Sequence, residues 1–594
     1  MTGRWHRGRR RVALAAAGLA TAVLAGGCAS LPESSSPMAI GTITRDPVTV
    51  SVPVPEPGRE PDSMLRDFFA ASTDPTDAHL AARQFLTPAA AERWDDAAST
   101  TVVDKVDVLQ ESRTGDEASY AVRANRVGQL DDGGQYQTAE GTFEAKFRMT
   151  RVGGEWRIDD LPPGVIMDRP QFLKTYKREA LYFLDPTGNT VVPDLRWVSA
   201  TAEEMPGRLV DLLIAGPKPG LSGAVRNVAG NLSVPGPITK ADGRNVGVGV
   251  GFGGVRIDFL GAEELSPEDR ALLASQVVWT LAAAEISGPY VLTLNGRPLD
   301  DRHVDGWSTA DVSTTDPRVA ANSSVGLHAL AGGSLVAVTD TGVSAVPGYF
   351  GSASVLRSIA LSRDGKLAAA VAATGRSAPE QGNVLMIGPT DGTGTPALEA
   401  GSLTRPTWSS FEPTAWTVAD GVRVVRVTLD GSGQPVVSPV DTRALAPLGE
   451  TMTELRLSSD GARAAVIVDG KVYVVSVVQG EDGTYALTSP RPVATGLGSP
   501  ALSLDWSSGD TIVVARAASE IPVVSVSVDG SRMDALPSRN LSPPVSSVDA
   551  SANSAFVADS RAVFQLNNND PAGDRYWREV PALAGVKAIP VLPG

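Results

Sequence analysis

From residue 62 onward, hydrophobic positions first follow a helical spacing and then alternate. Leu65 and Phe68 fall on one face of a predicted helix, Asp77 is predicted to cap a second helix, and Pro88 to open a third. Alternating hydrophobic and polar residues then predict strands within 103–110, 119–127, 141–152 and 155–162. Helices followed by an antiparallel sheet indicate a compact α+β domain over residues 62–168.

A second α+β pattern covers residues 178–302. It begins with a predicted hairpin whose turn lies at 186–189, followed by a helix that ends at Gly216. Paired strands are predicted within 246–260, and a last hairpin turns at Asn295 and Gly296.

The strongest helix signal in this second domain begins at Ser266. We predict that Ser266 is the N-cap, with Pro267 in the first turn and Asp269 completing a capping box. Apolar residues at i, i+4 and i+8 are predicted to face the sheet; they are Leu273, Val277 and Leu281.

Residues 318–594 repeat one design, in which a short alternating strand, a turn rich in Ser, Asp and Gly, and a second apolar strand follow each other. Serines mark comparable positions at intervals of 44 to 49 residues; they are Ser362, Ser409, Ser458, Ser507 and Ser551. A period of about 40–50 residues with several short strands is typical of β-propeller blades. We predict about six blades, with the ring closed by strands from both ends of the segment.

The N-terminus has the pattern of a signal peptide over residues 1–27. Five arginines precede a short apolar stretch, which is followed by small residues and then Cys28. The segment LAGGC resembles a lipobox, although Ala25 stands where an aliphatic residue is usual. The resemblance implies that Cys28 is lipidated as an N-palmitoyl and S-diacylglycerol cysteine on the extracytoplasmic face of the cell membrane. The alternative is an ordinary secretory signal with an incidental cysteine.

Residues 28–61 contain seven prolines and a serine run, and this composition favours an extended stalk rather than a packed core. Cys28 is the only cysteine of the chain, so no internal disulfide can form.

The formal net charge of −15 makes binding to nucleic acid through bulk charge unfavourable. Few residues suggest catalysis or metal binding. The glycines of 249–254 match a dinucleotide fingerprint by letter, but a strand rather than a helix is predicted to follow them. His79, His303 and His328 do not stand at metal-ligand spacing, and no GxSxG motif occurs.

Acidic doublets such as those at 95–96 and 159–160 are interpreted as solvated turn residues, because adjacent side chains diverge. The run 567–570 could hold a cation through its oxygen atoms or form an exposed loop. We therefore predict no catalytic residues, no metal ligands and no cofactor.

Three resemblances refine this picture. The first domain is similar to the NTF2-like fold, whose last hairpin the Gly153-Gly154 turn and Trp156 resemble; Trp156 is interpreted as core. The segments LLIAGPKPGL, VRIDFL, SPEDRALLASQVVWTL and LTLNGRPL closely resemble a GerMN domain, which implies an extracytoplasmic interaction module without catalytic residues. The order of lipobox, stalk, NTF2-like domain, GerMN domain and propeller resembles the actinobacterial LpqB lipoprotein family over the whole chain.

The family resemblance implies a non-enzymatic accessory of the MtrA–MtrB two-component system. Its partner would be the extracytoplasmic domain of the sensor histidine kinase MtrB, and the signalling that it modulates would control cell division and envelope homeostasis. Two alternatives stay open. One is a receptor or scaffold for a cell-envelope ligand such as a peptidoglycan fragment, bound in the cone or the propeller funnel. The other is a propeller hydrolase or lyase.

Overall fold

The computed structural model describes residues 54–594 except 132, 245–252, 262–264, 321–322, 377–381 and 411, and except the side chains of 319 and 320. The signal peptide, Cys28 and the stalk up to residue 53 lie outside the described residues. Residues Pro53–Gly594 form one compact unit.

The first domain consists of helices packed on a seven-stranded sheet of order β6-β5-β3-β1-β7, in which β2 and β4 also pair with β3. Its elements are α1 (Pro61–Ala71), α2 (Thr76–Arg83), α3 (Pro88–Arg93), β1 (Thr100–Val103), β2 (Asp107–Thr114), β3 (Glu117–Leu130), β4 (Tyr136–Thr138), β5 (Thr142–Val152), β6 (Glu155–Asp160), β7 (Val165–Asp168) and α4 (Arg169–Thr175). Phe68 packs against Phe147 and Trp94 in the core, and Trp156 is also buried. The predicted helices-then-sheet architecture is confirmed.

Two details of the first domain differ from the prediction. Asp77 does not cap α2, because it lies inside the helix with a positive φ of 49°; the Asp74 carboxylate instead accepts a hydrogen bond from Thr76 N. The strand predicted at 103–110 is divided between β1 and β2, which pair with different parts of β3.

The stalk was predicted to end at residue 61, but its last residues already belong to the first domain, because they contact its sheet and Pro61 begins its first helix. Gly58 N donates to Glu155 Oε2 at 2.8 Å, and Glu60 pairs with Arg113 at 2.7 Å. At the other end, α4 extends the domain beyond Asp168, because Phe172 is buried against Tyr136.

The second domain contains a two-stranded hairpin and a four-stranded sheet of order β10-β11-β12-β13. Its elements are β8 (Lys177–Leu184), β9 (Val191–Val198), α5 (Met205–Ala215), β10 (Thr239–Lys240), β11 (Val255–Phe259), α6 (Pro267–Ala283), β12 (Tyr290–Leu294) and β13 (Arg297–Pro298). The α6 helix connects the parallel strands β11 and β12. Positive φ values at Asn295 and Gly296 form the predicted turn between β12 and β13.

Helix α6 begins as predicted, with the Ser266 side chain accepting from Asp269 N at 3.1 Å. The three predicted apolar residues are fully buried, but burial is not confined to one face, since every residue from 272 to 281 is buried. Its polar side chains accept hydrogen bonds from backbone N–H groups of neighbouring segments: Thr280 Oγ1 accepts from Tyr182 N, and Gln276 Oε1 accepts from Val228 N. A helix enclosed on all sides needs such internal partners.

Residues 323–594 form a propeller of six four-stranded blades, as predicted. The helices α7 (Pro317–Ala320) and α8 (Tyr349–Ser352) accompany it. The strands, blade by blade, are β14 (His328–Ala331), β15 (Ser334–Thr339), β16 (Gly342–Ala345); β17 (Leu356–Leu361), β18 (Leu367–Ala373), β19 (Asn383–Pro389), β20 (Thr395–Ala400); β21 (Thr407–Trp408), β22 (Thr414–Ala419), β23 (Arg423–Leu429), β24 (Pro435–Asp441); β25 (Met452–Leu457), β26 (Arg463–Val468), β27 (Lys471–Gln479), β28 (Tyr485–Pro492); β29 (Ala501–Ser508), β30 (Thr511–Arg516), β31 (Val523–Ser527), β32 (Met533–Ala535); β33 (Ser547–Ala550), β34 (Ser554–Ala558), β35 (Val563–Asn567) and β36 (Arg578–Glu579).

The last strand, β37 (Ala588–Val591), closes the ring by pairing with β14 of the first blade. Neighbouring blades are also linked through inner-strand tryptophans. Trp408 Nε1 donates to Ala360 O of the preceding blade, and Trp506 Nε1 donates to Arg456 O. Closure by strands from both ends ties the chain termini of the propeller together.

Candidate functional site

A funnel of about 600 Å³ opens on the propeller face that carries the turns between the first two strands of each blade. Blades three to six contribute hydroxyl groups, among them those of Ser410, Ser459, Ser508 and Ser551. Apolar side chains come from the last and first blades, and include Leu327, Val338, Phe556, Val580 and Leu592. Arg363 and Asp340 add one charge of each sign to the wall.

The repeated serines of the sequence hold the turns that shape this funnel. Ser458 Oγ donates to Asp460 Oδ1 at 2.6 Å and accepts from Arg463 N at 3.1 Å. Ser362 Oγ likewise donates to Asp364 Oδ1 at 2.7 Å. The residue after each of four repeated serines lines the funnel; these residues are Arg363, Ser410, Ser459 and Ser508. Sequence reasoning missed them, although their fixed place beside a repeated residue was a usable signal.

Arg456, Asp505 and Asp549 line the inner part of the funnel. Together with Arg405 and Glu454 they form one network of ion pairs, and we call these five residues the charged floor. Arg456 Nε donates to Asp505 Oδ1 at 2.9 Å, and Arg405 Nη2 donates to Glu454 Oε1 at 2.8 Å. Asp549 Oδ2 accepts from Leu592 N at 3.1 Å. All five side chains are at most 11% exposed, so two cations face three carboxyl groups in a medium of low polarity.

The pKa values of the two aspartates in the charged floor shift in opposite directions. Burial alone would raise the pKa of Asp505, but Arg456 and Arg405 lower it to about 2. Burial and the negative charge of Asp505 raise the pKa of Asp549 well above its usual value. Unlike charge states of neighbouring carboxyl groups are the expected outcome when like charges crowd together. The charged floor thus keeps one carboxylate and one carboxyl group that favours its proton.

The second domain is attached to the propeller through β9. Arg463 Nη2 donates to Pro193 O at 2.5 Å, and Ser476 Oγ donates to Gly220 O at 2.6 Å. Leu195 of β9 joins the apolar core formed by Leu504 and other residues of the fourth and fifth blades. Apolar burial and hydrogen bonds together make this a packed interface rather than a loose contact.

Buried charges accompany this interface. The Asp194 carboxylate pairs with Arg196 at 2.8 Å and with Lys218 Nζ at 3.5 Å, and all three residues are at most 7% exposed. Burial alone would raise the pKa of Asp194, but Lys218 and Arg196 bring it below its usual value. Burial lowers the pKa of Lys218 to about 8 despite the attraction of Asp194.

Trp197 brings all three domains together. Its ring lies 4.6 Å from that of Phe172 in the first domain, and its Nε1 donates to Asp529 Oδ2 of the fifth blade at 3.1 Å. Arg169 of α4 adds a direct bond to the propeller, donating to Ser531 O at 3.1 Å. We call the set Asp194, Arg196, Trp197, Lys218, Arg463 and Asp529 the three-domain junction.

The three histidines after residue 28 lie in separate places. His79 Nδ1 lies 2.8 Å from Asp96 in the first domain, and His303 stacks on Trp307 beyond β13. His328 begins β14 of the first blade, where its Nδ1 lies 2.9 Å from Gly326 O. Over the parts of the chain that the structure describes, no group of three or more His, Cys, Asp or Glu side chains could hold a metal ion.

The other sequence motifs have structural roles where they are described. Gly254 precedes β11, and a side chain there would collide with Pro289 O, so this glycine permits a close backbone approach. In the 567–570 run, Asn568 Nδ2 donates to the carbonyl oxygens of Ser551 and Ala552, while Asp570 pairs with Arg578. In the acidic doublet 159–160, Asp159 accepts a hydrogen bond from Thr87 and Asp160 pairs with Arg148, so the two side chains diverge. Residues 249–252 and Cys28 lie outside the described residues.

Comparison with known proteins yields relatives over nearly the whole chain. A protein of Rhodococcus opacus (strain B4) named lipoprotein LpqB is 62% identical over 99% of this chain and 98% of its own length. Lipoprotein LpqB of Nocardia farcinica (strain IFM 10152) is 50% identical over the full length of both chains.

The chain belongs to the LpqB lipoprotein family. Three family models agree with this and divide the chain in the order predicted. "Lipoprotein LpqB, N-terminal domain" matches residues 54–173, "Sporulation and spore germination" matches 180–300, and "Lipoprotein LpqB beta-propeller domain" matches 333–593. The GerMN and propeller predictions are thereby confirmed for this LpqB chain.

Two solved structures each resemble a little under half of this chain. A chain of a nidogen/laminin complex has a TM-score of 0.34 at 10% identity and covers 45% of this chain and 97% of its own length. The periplasmic gluconolactonase of Pseudomonas aeruginosa has a TM-score of 0.31 at 15% identity, covering 45% of this chain and 81% of its own. Within the described residues of the LpqB chain, no helix has the length and apolar character needed to cross a membrane.

Proposed function

We propose that this LpqB chain is a non-enzymatic accessory lipoprotein, anchored to the extracytoplasmic face of the cell membrane by lipid on Cys28. It binds the extracytoplasmic domain of an MtrB-type sensor histidine kinase. Through this contact it modulates the two-component signalling that controls cell division and envelope homeostasis.

The three-domain junction is the observation that best supports this proposal. Trp197 and Arg463 hold the domains together through buried contacts, so one docking event positions all three domains relative to the membrane. A lipid anchor confines them to the layer in which a kinase ectodomain lies, and confinement raises the effective concentration of the partner. A rigid, confined adaptor can thus act without chemistry of its own.

Crosslinking in living membranes tests the contact with the kinase. A photoreactive residue replaces one exposed apolar side chain in each domain: Leu109 in the first, Val304 after the second, and Val422 in the propeller. At least one position is expected to yield an adduct with the kinase. The matched control is Leu195, which is buried in the interface between domains and should crosslink only within the chain. Adducts with other proteins but never with the kinase would contradict the proposal.

The anchor is tested by Cys28→Ser. The variant is expected to lose acylation, measured by metabolic labelling with a palmitate analogue, and to be released from membranes while its folded part stays intact. Signalling should weaken, because the released protein no longer shares the membrane layer of the kinase. Normal output of the kinase pathway with a released variant at native abundance would show that signalling does not require the anchor.

A further inference from the structure

A second cleft, of about 220 Å³, lies between the first two domains beside Trp197 of the three-domain junction. His79, Asp96 and Asp131 border it from the first domain, and Trp197 and Arg208 border it from the second. Its volume lies below the usual range of roughly 300–1,000 Å³ for drug-sized ligands, so the cleft suits a much smaller molecule. The polar groups of its walls determine the chemistry of that molecule.

Two opposite charges of the cleft wall are left to a ligand. The Asp96 carboxylate is already neutralised, because it pairs with Arg83 and its Oδ2 lies 2.8 Å from His79 Nδ1. The remaining charged side chains of the wall are Asp131 on one domain and Arg208 on the other. A ligand that carries both signs of charge can therefore satisfy both sides of the cleft.

Arg208 supplies the positive charge. It lies near the start of α5 and is exposed, and its guanidinium group has no hydrogen bond or ion pair to any residue that the structure describes. A guanidinium group presents parallel N–H donors that match the two oxygens of a carboxylate. A carboxylate is thus the group that Arg208 recognises best in a small organic ligand.

Asp131 supplies the negative charge. Its Oδ1 accepts from Gln135 N at 2.9 Å, whereas no hydrogen bond reaches its Oδ2 from the described part of the chain. Burial raises the pKa of this half-buried carboxyl group, although Lys218 and Arg196 act in the opposite direction. A cation beside the free oxygen would offset the cost of burial, because it stabilises the ionised form.

His79 adds a buried acceptor to the same wall. Its side chain is 9% exposed, and its Nε2 is buried without a hydrogen-bond partner. The Asp96 carboxylate can only accept, so His79 Nδ1 carries the proton of their bond and the neutral ring leaves Nε2 as an acceptor. Buried polar atoms without partners are rare in folded proteins, and an N–H group of a ligand would satisfy this one.

We propose that this cleft binds a free amino acid, with the carboxylate on Arg208 and the ammonium group on Asp131 and His79. These groups recognise the part that all amino acids share, so the side chain needs only to be small. Since the two domains contribute opposite charges, the ligand would also link the first domain to the second. The site does not rest on kinase binding, and either proposal can fail without the other.

Isothermal titration calorimetry on the full-length chain in detergent tests the site. Both enantiomers of alanine are titrated, together with alaninamide, which lacks the carboxylate, and lactate, which lacks the ammonium group. We expect saturable binding of at least one enantiomer of alanine. Alaninamide and lactate of the same configuration should bind at least about tenfold more weakly, because the loss of one charge-assisted contact has that order of effect.

Two variants assign the binding to the cleft. Arg208→Gln should remove the discrimination against alaninamide, and Asp131→Asn, which keeps an acceptor for Gln135 N, should remove the discrimination against lactate. The control is Arg297→Gln on β13 of the same domain as Arg208, an exposed position outside the cleft that should leave both preferences unchanged.

The comparison of probes on the wild-type chain needs no variant, so it decides the proposal even if a variant fails to fold. Absence of saturable heat with either enantiomer of alanine, or equal affinity for alanine and both analogues, would overturn it. Unchanged preferences in both folded cleft variants would overturn it as well. Kinase crosslinking by the same preparations shows separately whether the adaptor function stands.

Discussion

At the residue scale, the charged floor shows how a periodic sequence concentrates charge. Arg456, Asp505 and Asp549 lie in the inner strands of three successive blades, at positions that the repeat makes equivalent. No two of them are close in sequence, but the ring places them at one axis. Each carboxyl group is then paired, because an unpaired charge at this depth would be strongly unfavourable.

Removal of one cation from the charged floor should therefore destabilise the propeller. Arg456→Met leaves Asp505 and Asp549 buried beside each other with one arginine fewer, and we expect a loss of about 3–5 kcal/mol in the unfolding free energy of the propeller. Urea unfolding followed by tryptophan fluorescence measures this. The control is Arg423→Met, whose exposed pair with Asp420 should contribute less than about 1 kcal/mol. Equal effects of the two substitutions would contradict the proposed role of the floor.

At the element scale, local patterns identified most helices and strands but not their neighbours. The segment 103–110 is divided because β1 ends at Val103 and β2 begins at Asp107; between them the Asp104 carboxylate accepts a hydrogen bond from Asn125 N. Strand β1 also pairs in parallel with β7, which lies more than sixty residues away. Alternation of hydrophobic and polar residues carries no information about this distant partner, so the pattern predicted a single strand.

The start of α6 is an element that local sequence does determine. Ser266→Ala removes the acceptor for Asp269 N, and we expect it to destabilise the second domain by about 0.5–2 kcal/mol. Ser266→Gly is the matched comparison, since glycine at an N-cap costs only about a few tenths of a kcal/mol. Hydrogen exchange of the first-turn amides of α6 measures both. Faster exchange in the glycine variant than in the alanine variant would show that capping by Ser266 is not the dominant effect.

At the scale of the whole molecule, the junction around β9 makes three domains one body. The sequence pattern predicts β9 only as one strand of a hairpin; in the structure, Leu195 and Trp197 of this strand face the propeller and the first domain. This explains why β9 is buried along its whole length. It also explains why Asp194, Arg196 and Lys218, which look like surface residues in the sequence, lie at an interface without access to solvent.

Lys218 should make the junction sensitive to alkaline pH. The folded chain releases its proton at about pH 8, whereas the unfolded chain retains it to about 10.5, so the unfolded state binds more protons between these values. Stability therefore rises with pH in this window, by about 2 kcal/mol between pH 8 and 10. Chemical unfolding of the wild type relative to Lys218→Met isolates this contribution, because the other titrations are shared. If the unfolding free energy of the wild type did not rise relative to that of Lys218→Met between pH 8 and 10, the assignment would be contradicted.

The sequence by itself determined the order of domains, the six-bladed repeat, the capped helix at Ser266 and the lipidation motif at Cys28. These features depend on local chemistry or on periodicity, which a single chain displays directly. Only the tertiary structure decided that the charged floor converges on one axis, that the residues following the repeated serines line a funnel, and that β9 joins three domains. Such contacts unite residues from distant parts of the chain, and their burial and charge states depend on every neighbour that excludes water.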